Sequence, residues 1–188
     1  MKIVYLISGP RGSGKSTFAE MIKKNNPEVA VINEDEIKLA HFGSIYLDSD
    51  AGDHIFARYL LEQEIKKTVE SAGNSAKIIL DVWNGFSGSR SKIIRFLRRL
   101  EVECIICWYF IVPLNICLQW FRTKKDCDKY SDAMVIGDYN LFHKEADDIR
   151  SWKDELIEDW SYYSLEGRFD GVYFINPAQQ TLSGFALI

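Results

Sequence analysis

The chain has 188 residues, with 23 Lys and Arg against 27 Asp and Glu, a formal net charge of −4 and a pI near 5.5. Its 47% hydrophobic and 13% aromatic content is enough for a sizeable core, which excludes a disordered tail or linker. The acidic balance excludes a uniformly basic, nucleic-acid-coating protein, though a local basic face stays open. The length corresponds to one domain over 1–188. No stretch approaches the roughly 20 apolar residues of a membrane span, and the first apolar run is too short for a signal-peptide core. The sequence reads as cytoplasmic, with reduced thiols and no membrane partner.

In chain order, the first apolar run, Ile3–Ile7, predicts a strand. It ends in Gly9-Pro10-Arg11-Gly12-Ser13-Gly14-Lys15-Ser16, which fits G-x-x-x-x-G-K-[ST] at every specified position. At average residue usage such a match arises by chance in under about 1% of chains this long, so a phosphate-binding P-loop is the reading. The glycines let the backbone turn and aim several N–H groups at one anion, and the helix that follows adds its positive end. Gly9, Pro10, Arg11, Gly12, Ser13, Gly14, Lys15, Ser16 and Thr17 are the candidate nucleotide-binding residues. Lys15 is placed to reach the β- and γ-phosphates, and Ser16 to offer its hydroxyl to Mg²⁺.

In the helix after the loop, Phe18, Met21 and Ile22 share a face, and Asn25-Asn26-Pro27 stops it. Val29–Ile32 is the second strand. Asn33-Glu34-Asp35-Glu36 follows its carboxyl end, where a carboxylate can accept a hydroxyl proton; Asp35 is the candidate base. The same acids read equally as the charged start of a helix. A long helix is predicted from about Gly52 to Ala72, with Ile55, Tyr59, Leu60 and Ile65 near one face and Gly73-Asn74 as its stop.

The third strand, Ile78–Leu80, ends in Asp81, where ligands of open α/β sheets bind. Asp81 is the candidate Walker B acid behind the metal, or else a turn aspartate before Asn84-Gly85. A helix over about Ser89–Leu100 turns Ile93, Ile94, Leu97 and Leu100 inward and carries Arg90, Lys92, Arg95, Arg98 and Arg99. That basic cluster reads as a solvated face or as a phosphate-backbone contact. Val102–Val112 is the fourth strand; Cys104 and Cys107 alternate to its opposite faces and read as core. Pro113 opens the next helix. The polar stretch 122–140 lacks periodicity and reads as a moving lid or as a plain surface excursion, the lid being the expectation. A helix over about Lys144–Trp160 and a strand, Val172–Ile175, complete the pattern; by fold analogy alone, the loop Asn176–Gln180 after that strand is expected to border an adenine ring. The aromatics Phe42, Tyr46, Trp83 and Phe86 read either as base-stacking residues or as core. His41, His54 and His143 have no metal-ligand spacing.

Near-continuous apolar strands alternating with helices predict an α/β fold: a single P-loop NTPase domain with a five-stranded parallel sheet, helices on both faces and a lid. The P-loop, Ile32-Asn33-Glu34-Asp35-Glu36-Ile37-Lys38 and the strand ending in Asp81 together resemble the P-loop kinases related to polynucleotide 5′-hydroxyl kinase. The resemblance spans roughly Lys2 to Lys125. It implies ATP with Mg²⁺, transfer of the γ-phosphoryl group to a hydroxyl, and as acceptor a nucleic-acid or nucleotide 5′-hydroxyl. It makes Asp35 the general base and sets Lys38 where the family has an acceptor-binding Arg, a change that keeps charge but loses bidentate recognition. It brings Asn84 and Arg90 to the acceptor side with Asp81, and gives Arg122 the role of a lid arginine that closes on the phosphates. A kinase of nucleosides, nucleotides or other small molecules, and an NTP-hydrolysing switch or binding protein, are the alternative functions.

Overall fold

The computed structural model describes residues 1–47, 51–73, 75–124, 131–154 and 169–178. Five strands, β1 (Ile3–Ser8), β2 (Ala30–Asn33), β3 (Lys77–Asp81), β4 (Cys104–Phe110) and β5 (Gly171–Ile175), form one sheet in the order β2-β3-β1-β4-β5. Every pairing is parallel, as the expected α/β fold requires. β1 lies at the centre, with Tyr5 opposite Ile79 on one side and Ile106 on the other, and all six of its residues are buried. A central parallel strand is covered on both faces, hence its unbroken apolar run.

Alternation divides that run between two cores. Ile3, Tyr5 and Ile7 face α1 (Lys15–Asn25), which turns in Phe18, Ala19 and Ile22. Tyr5 stacks on Trp108 at 4.4 Å, and Phe18 meets Trp108 edge-on at 5.1 Å. Val4 and Leu6 face the opposite core, with α3 (Ala51–Ser71) and α4 (Ser87–Arg99) supplying Leu61, Ile65, Val69, Ile93, Ile94 and Leu97. Fully burying such a side chain contributes about 1.5–3 kcal/mol. On this second side α6 (Asp132–Asp154) lays Phe142 and Ala146 on Cys107 and Tyr109 of β4. Cys104 packs with the α1 core, so the two thiols do sit on opposite faces, and burial pushes Cys107 up to about 12.

Three expectations need correction. A helix, α2 (Glu34–Phe42), intervenes between β2 and the long helix. Asn33 caps it by accepting from the Asp35 and Glu36 amides, and the first turn holds three acids that suit the helix dipole. It buries no residue, so it carries no apolar stripe. In α3 the buried face is Ala57, Leu61, Ile65 and Val69; Ile55 and Tyr59 are exposed, because at about 100° per residue each lies about 200° from Ala57, on the outward side of the helix. Finally, residues 132–140 are the first part of α6, packed by Val135 against Val112, Cys117 and Phe121 around α5 (Leu114–Arg122). Of the expected lid, 125–130 lie outside the described residues, as do 155–160 of the last helix. Among the described residues no helix is long and apolar enough to cross a membrane.

Candidate active site

The P-loop leaves the carboxyl end of β1 and turns into α1. Gly12 (φ +76) and Gly14 (φ +84) adopt left-handed backbone, and Gly12 lies so close to α5 that a Cβ there would stand 2.1 Å from the Cys117 carbonyl oxygen. Gly14 is the N-cap of α1 and has no capping side chain, so the first-turn N–H groups stay available to an anion. The Lys15 ammonium donates to the Gly9 and Pro10 carbonyls at 2.8 Å each, inside the turn. Burial holds its pKa below the ordinary lysine value, against the opposing pull of Asp81. The Ser13 hydroxyl is buried with no hydrogen-bond partner. An uncapped helix start, an enclosed ammonium and an orphaned hydroxyl around a glycine cradle fit a polyphosphate.

A cleft of about 410 Å³ opens over this loop. It is lined by Arg11 through Thr17 of the P-loop and by Asn33, Glu34, Asp35, Lys38, Asp81 and Trp83, with Lys124 and His54 also in its lining. Asp81, at the end of β3, is 8% exposed and accepts from the Asn33 amide at 3.1 Å. Asn33 thereby caps α2 and orients the acid with one side chain. Asp35 sits in the first turn of α2. Desolvation by the surrounding protein raises its carboxyl above the ordinary range; Lys38 opposes this, while Glu34 and Asp81 add to it. Lys38 pairs with Glu34 at 2.7 Å, and the second Glu34 oxygen accepts from the Trp83 amide at 2.9 Å.

Asp138 of α6 is a residue that sequence reasoning missed. It is 8% exposed and faces Arg11 of the P-loop at 3.1 Å, with the Trp83 side chain and the Arg11 backbone also donating to it. Burial nevertheless raises its pKa, against the opposing charges of Arg11 and Lys15. Trp120 of α5 is the second omission: its ring lies 3.2 Å from a Cβ placed on Gly14, with Pro177 at 3.8 Å on the same spot. The loop after β5 therefore does abut the P-loop, although Gln179 and Gln180 lie outside the described residues. Only the spacing of Trp120 in the helix after Pro113 could have pointed to it.

Two expected acceptor-side residues serve the scaffold. Asn84 is 1% exposed and donates to the Ile7 and Val82 carbonyls; Arg90 is 2% exposed and donates to the Asn84 and Gly85 carbonyls. The carbonyls of Ile7 in β1 and of Val82, Asn84 and Gly85 in the loop between β3 and α4 need donors, and these two side chains supply them. Arg122 is exposed, binds Asp132 at the start of α6, and is not part of the cleft wall. Trp83 and Phe86 are 38% and 55% exposed and meet at 5.3 Å, so they are not core; Phe42 and Tyr46 are partly exposed. Among the described residues no group of three or more His, Cys, Asp or Glu has the placement of a metal site.

A family model described as an AAA domain matches residues 4–135, and the chain belongs to that P-loop kinase-like family. A chain of the Pnkp1/Rnl/Hen1 RNA repair complex superposes with a TM-score of 0.64 at 18% identity, over 78% of this chain and 46% of that one. A second structure of that complex gives 0.55 at 20% identity, over 66% and 40%. This chain thus spans less than half the length of those two proteins. The Deinococcus radiodurans tunicamycin resistance protein superposes with a TM-score of 0.57 at 14% identity, over 97% of this chain and 90% of that one. At these identities the likeness is one of fold. No curated protein matches the sequence.

Proposed function

We propose that the protein is an ATP-dependent phosphotransferase that moves the γ-phosphoryl group to an alcohol, best a nucleotide or nucleic-acid 5′-hydroxyl. The observation that carries this reading is that the P-loop, Asp35 and Asp81 line one cleft, with Asp81 close enough to act on the charge of both Lys15 and Asp35. A carboxylate facing a phosphate cradle is the arrangement that proton abstraction from an acceptor hydroxyl needs.

The roles follow from the placement. The P-loop amides and Lys15 cradle the β- and γ-phosphates, Lys15 exchanging its carbonyl partners for phosphate oxygens. Ser16 and Asp81 would hold Mg²⁺, which when bound neutralises charge on the phosphate oxygens. Asp35 accepts the acceptor's hydroxyl proton, that oxygen forms the new bond to the γ-phosphorus, and the β–γ bridging oxygen leaves with its electron pair as ADP. Lys38, held by Glu34, offers charge to an acceptor phosphate. Trp120 and Pro177 border the adenine, and Arg122 would leave Asp132 to close over the phosphates.

Labelled ATP offered with 5′-hydroxyl oligonucleotides, nucleosides and small alcohols tests the reading. Transfer to oligonucleotides, lost in Asp35→Asn while nucleotide binding persists, is the expected result. Hydrolysis without any acceptor, equally present in Asp35→Asn, would overturn it. A small-molecule alcohol is the second reading, favoured by the modest cleft volume and by a likeness to the tunicamycin resistance protein along nearly the whole of both chains.

A further inference from the structure

A second concavity, of about 760 Å³, lies between the outward sides of α3 and α4. α4 lines it with Ser89, Lys92, Arg95, Phe96, Arg98 and Arg99, and α3 with Arg58 and Glu62. Five cations and one carboxylate thus gather in one groove of a chain whose net charge is −4. Two of the cations are committed: Arg98 to Asp170 at 2.7 Å, and Arg58 to Glu62 at 3.0 Å. Lys92, Arg95 and Arg99 are exposed, and no carboxylate pairs with them among the described residues. They recur on one face of α4 over seven residues, about 10 Å at 1.5 Å per residue.

We propose that this groove is a seat for the phosphodiester backbone of a single-stranded nucleic acid, lying downstream of the end that enters the cleft; the second half of this statement rests on the phosphotransferase reading above. Two features favour a nucleic acid over an acidic protein. The residue immediately before α4 is Phe86, exposed and in contact with Trp83 of the cleft wall. The Trp83–Phe86 ring pair therefore links a residue of the cleft lining to the start of the helix that lines the groove. Phe96 adds a ring on the groove wall, with the Arg99 guanidinium 6.0 Å from its centroid. Cations interleaved with rings are how single strands are held without sequence preference. Arg90, facing inward, takes no part.

The test is a Lys92→Gln/Arg95→Gln/Arg99→Gln triple variant. All three side chains are exposed, and circular dichroism checks that the fold is kept. Anisotropy of a 3′-fluorescein oligonucleotide, read without ATP, is the direct measurement. Binding should weaken by at least about tenfold, and the slope of log K against log[salt] should shrink by about 2, from about 0.7 per lost phosphate contact. In turnover, KM for that oligonucleotide should rise while kcat and the constants for a nucleoside 3′-monophosphate hold. Unchanged oligonucleotide binding, or a wild-type groove that takes a polyglutamate peptide and no oligonucleotide, overturns the proposal. If the wild type binds oligonucleotides through these cations yet phosphorylates none, the groove stands and the acceptor assignment fails.

Discussion

Gly12→Ala probes the seam between the P-loop and α5. A Cβ on Gly12 would stand 2.1 Å from the Cys117 carbonyl oxygen and 2.9 Å from its carbon, and both are backbone atoms that cannot swing aside. A relaxed C···O contact is about 3.3 Å or more, so the two backbones must separate by about 1.2 Å. The left-handed φ of +76 adds about 1–2 kcal/mol for a non-glycine residue, and the overpacking about 1–3 kcal/mol. The sum, about 2–5 kcal/mol, lowers Tm by on the order of 10 °C at about 2–4 °C per kcal/mol for a chain of this size. Displacing the cradle by about 1 Å also costs on the order of 100-fold in phosphoryl transfer. Calorimetry and steady-state turnover read the two effects. Gly88→Ala is the control: nothing lies within 4 Å of its Cβ, it sits inside α4, and it should stabilise by up to about 1 kcal/mol. A Gly12→Ala protein that melts with the wild type and binds nucleotide normally would refute the reasoning.

Asp35 must be ionised to act as a base, and its raised pKa places the acid limb of kcat/KM above the ordinary aspartate range; Lys38→Met removes the opposing cation and should move that limb to still higher pH. A limb that stays put under Lys38→Met contradicts the assignment. Lys15 has a lowered pKa, so keeping it charged at neutral pH works against folding; Lys15→Met should hold or raise Tm while abolishing nucleotide binding, and a destabilised variant would count against that sign. Asp138 has a raised pKa, so the stability lost through its ionisation is absent below the unfolded-state value and complete above the folded one. Asp138→Asn should therefore match or exceed the wild-type Tm at pH 7 and give no gain near the unfolded-state value of about 3.9, as melts at both pH values will show.

How far the sequence could be read follows from where each residue gets its burial. Central strands and the P-loop are local patterns: an apolar run covered on both faces, and glycines at set spacing. Helix α2 carried its own start signal, Asn33 followed by acids, but with no buried residue it had no periodicity to count. The α3 stripe begins with Ala57, a small residue, whereas the bulkier Ile55 and Tyr59 lie on the opposite, outward face of the same turns and drew the expected stripe to the wrong side. Asn84 and Arg90 are polar residues buried with no local pattern to mark them; Arg90 donates to loop carbonyls five and six residues back, and one of Asn84's partners is a β1 carbonyl 77 residues away. Asp138 owes its place to Arg11 and Trp83, both distant in sequence, so nothing local marks it.

The distribution of charge separates attraction from chemistry. Inside the cleft Arg11 faces Asp138, Lys38 faces Glu34, and Lys15 feels Asp81, so three cations are already balanced by acids. Such a cleft orients an anion with preformed donors but adds little long-range pull, because paired charges cancel beyond a Debye length of about 8 Å. Among the described residues, Lys92, Arg95 and Arg99 along α4 have no carboxylate partner and gather in one groove, while Lys124 lines the cleft. A polyanionic acceptor would therefore gain its encounter rate and affinity on the α3–α4 side and its alignment in the cleft. In that arrangement salt should raise KM for long acceptors steeply while leaving kcat nearly level, and a mononucleotide acceptor should show neither effect. A kcat that falls with salt as steeply as kcat/KM would place the attractive charge in the cleft itself and reverse this division.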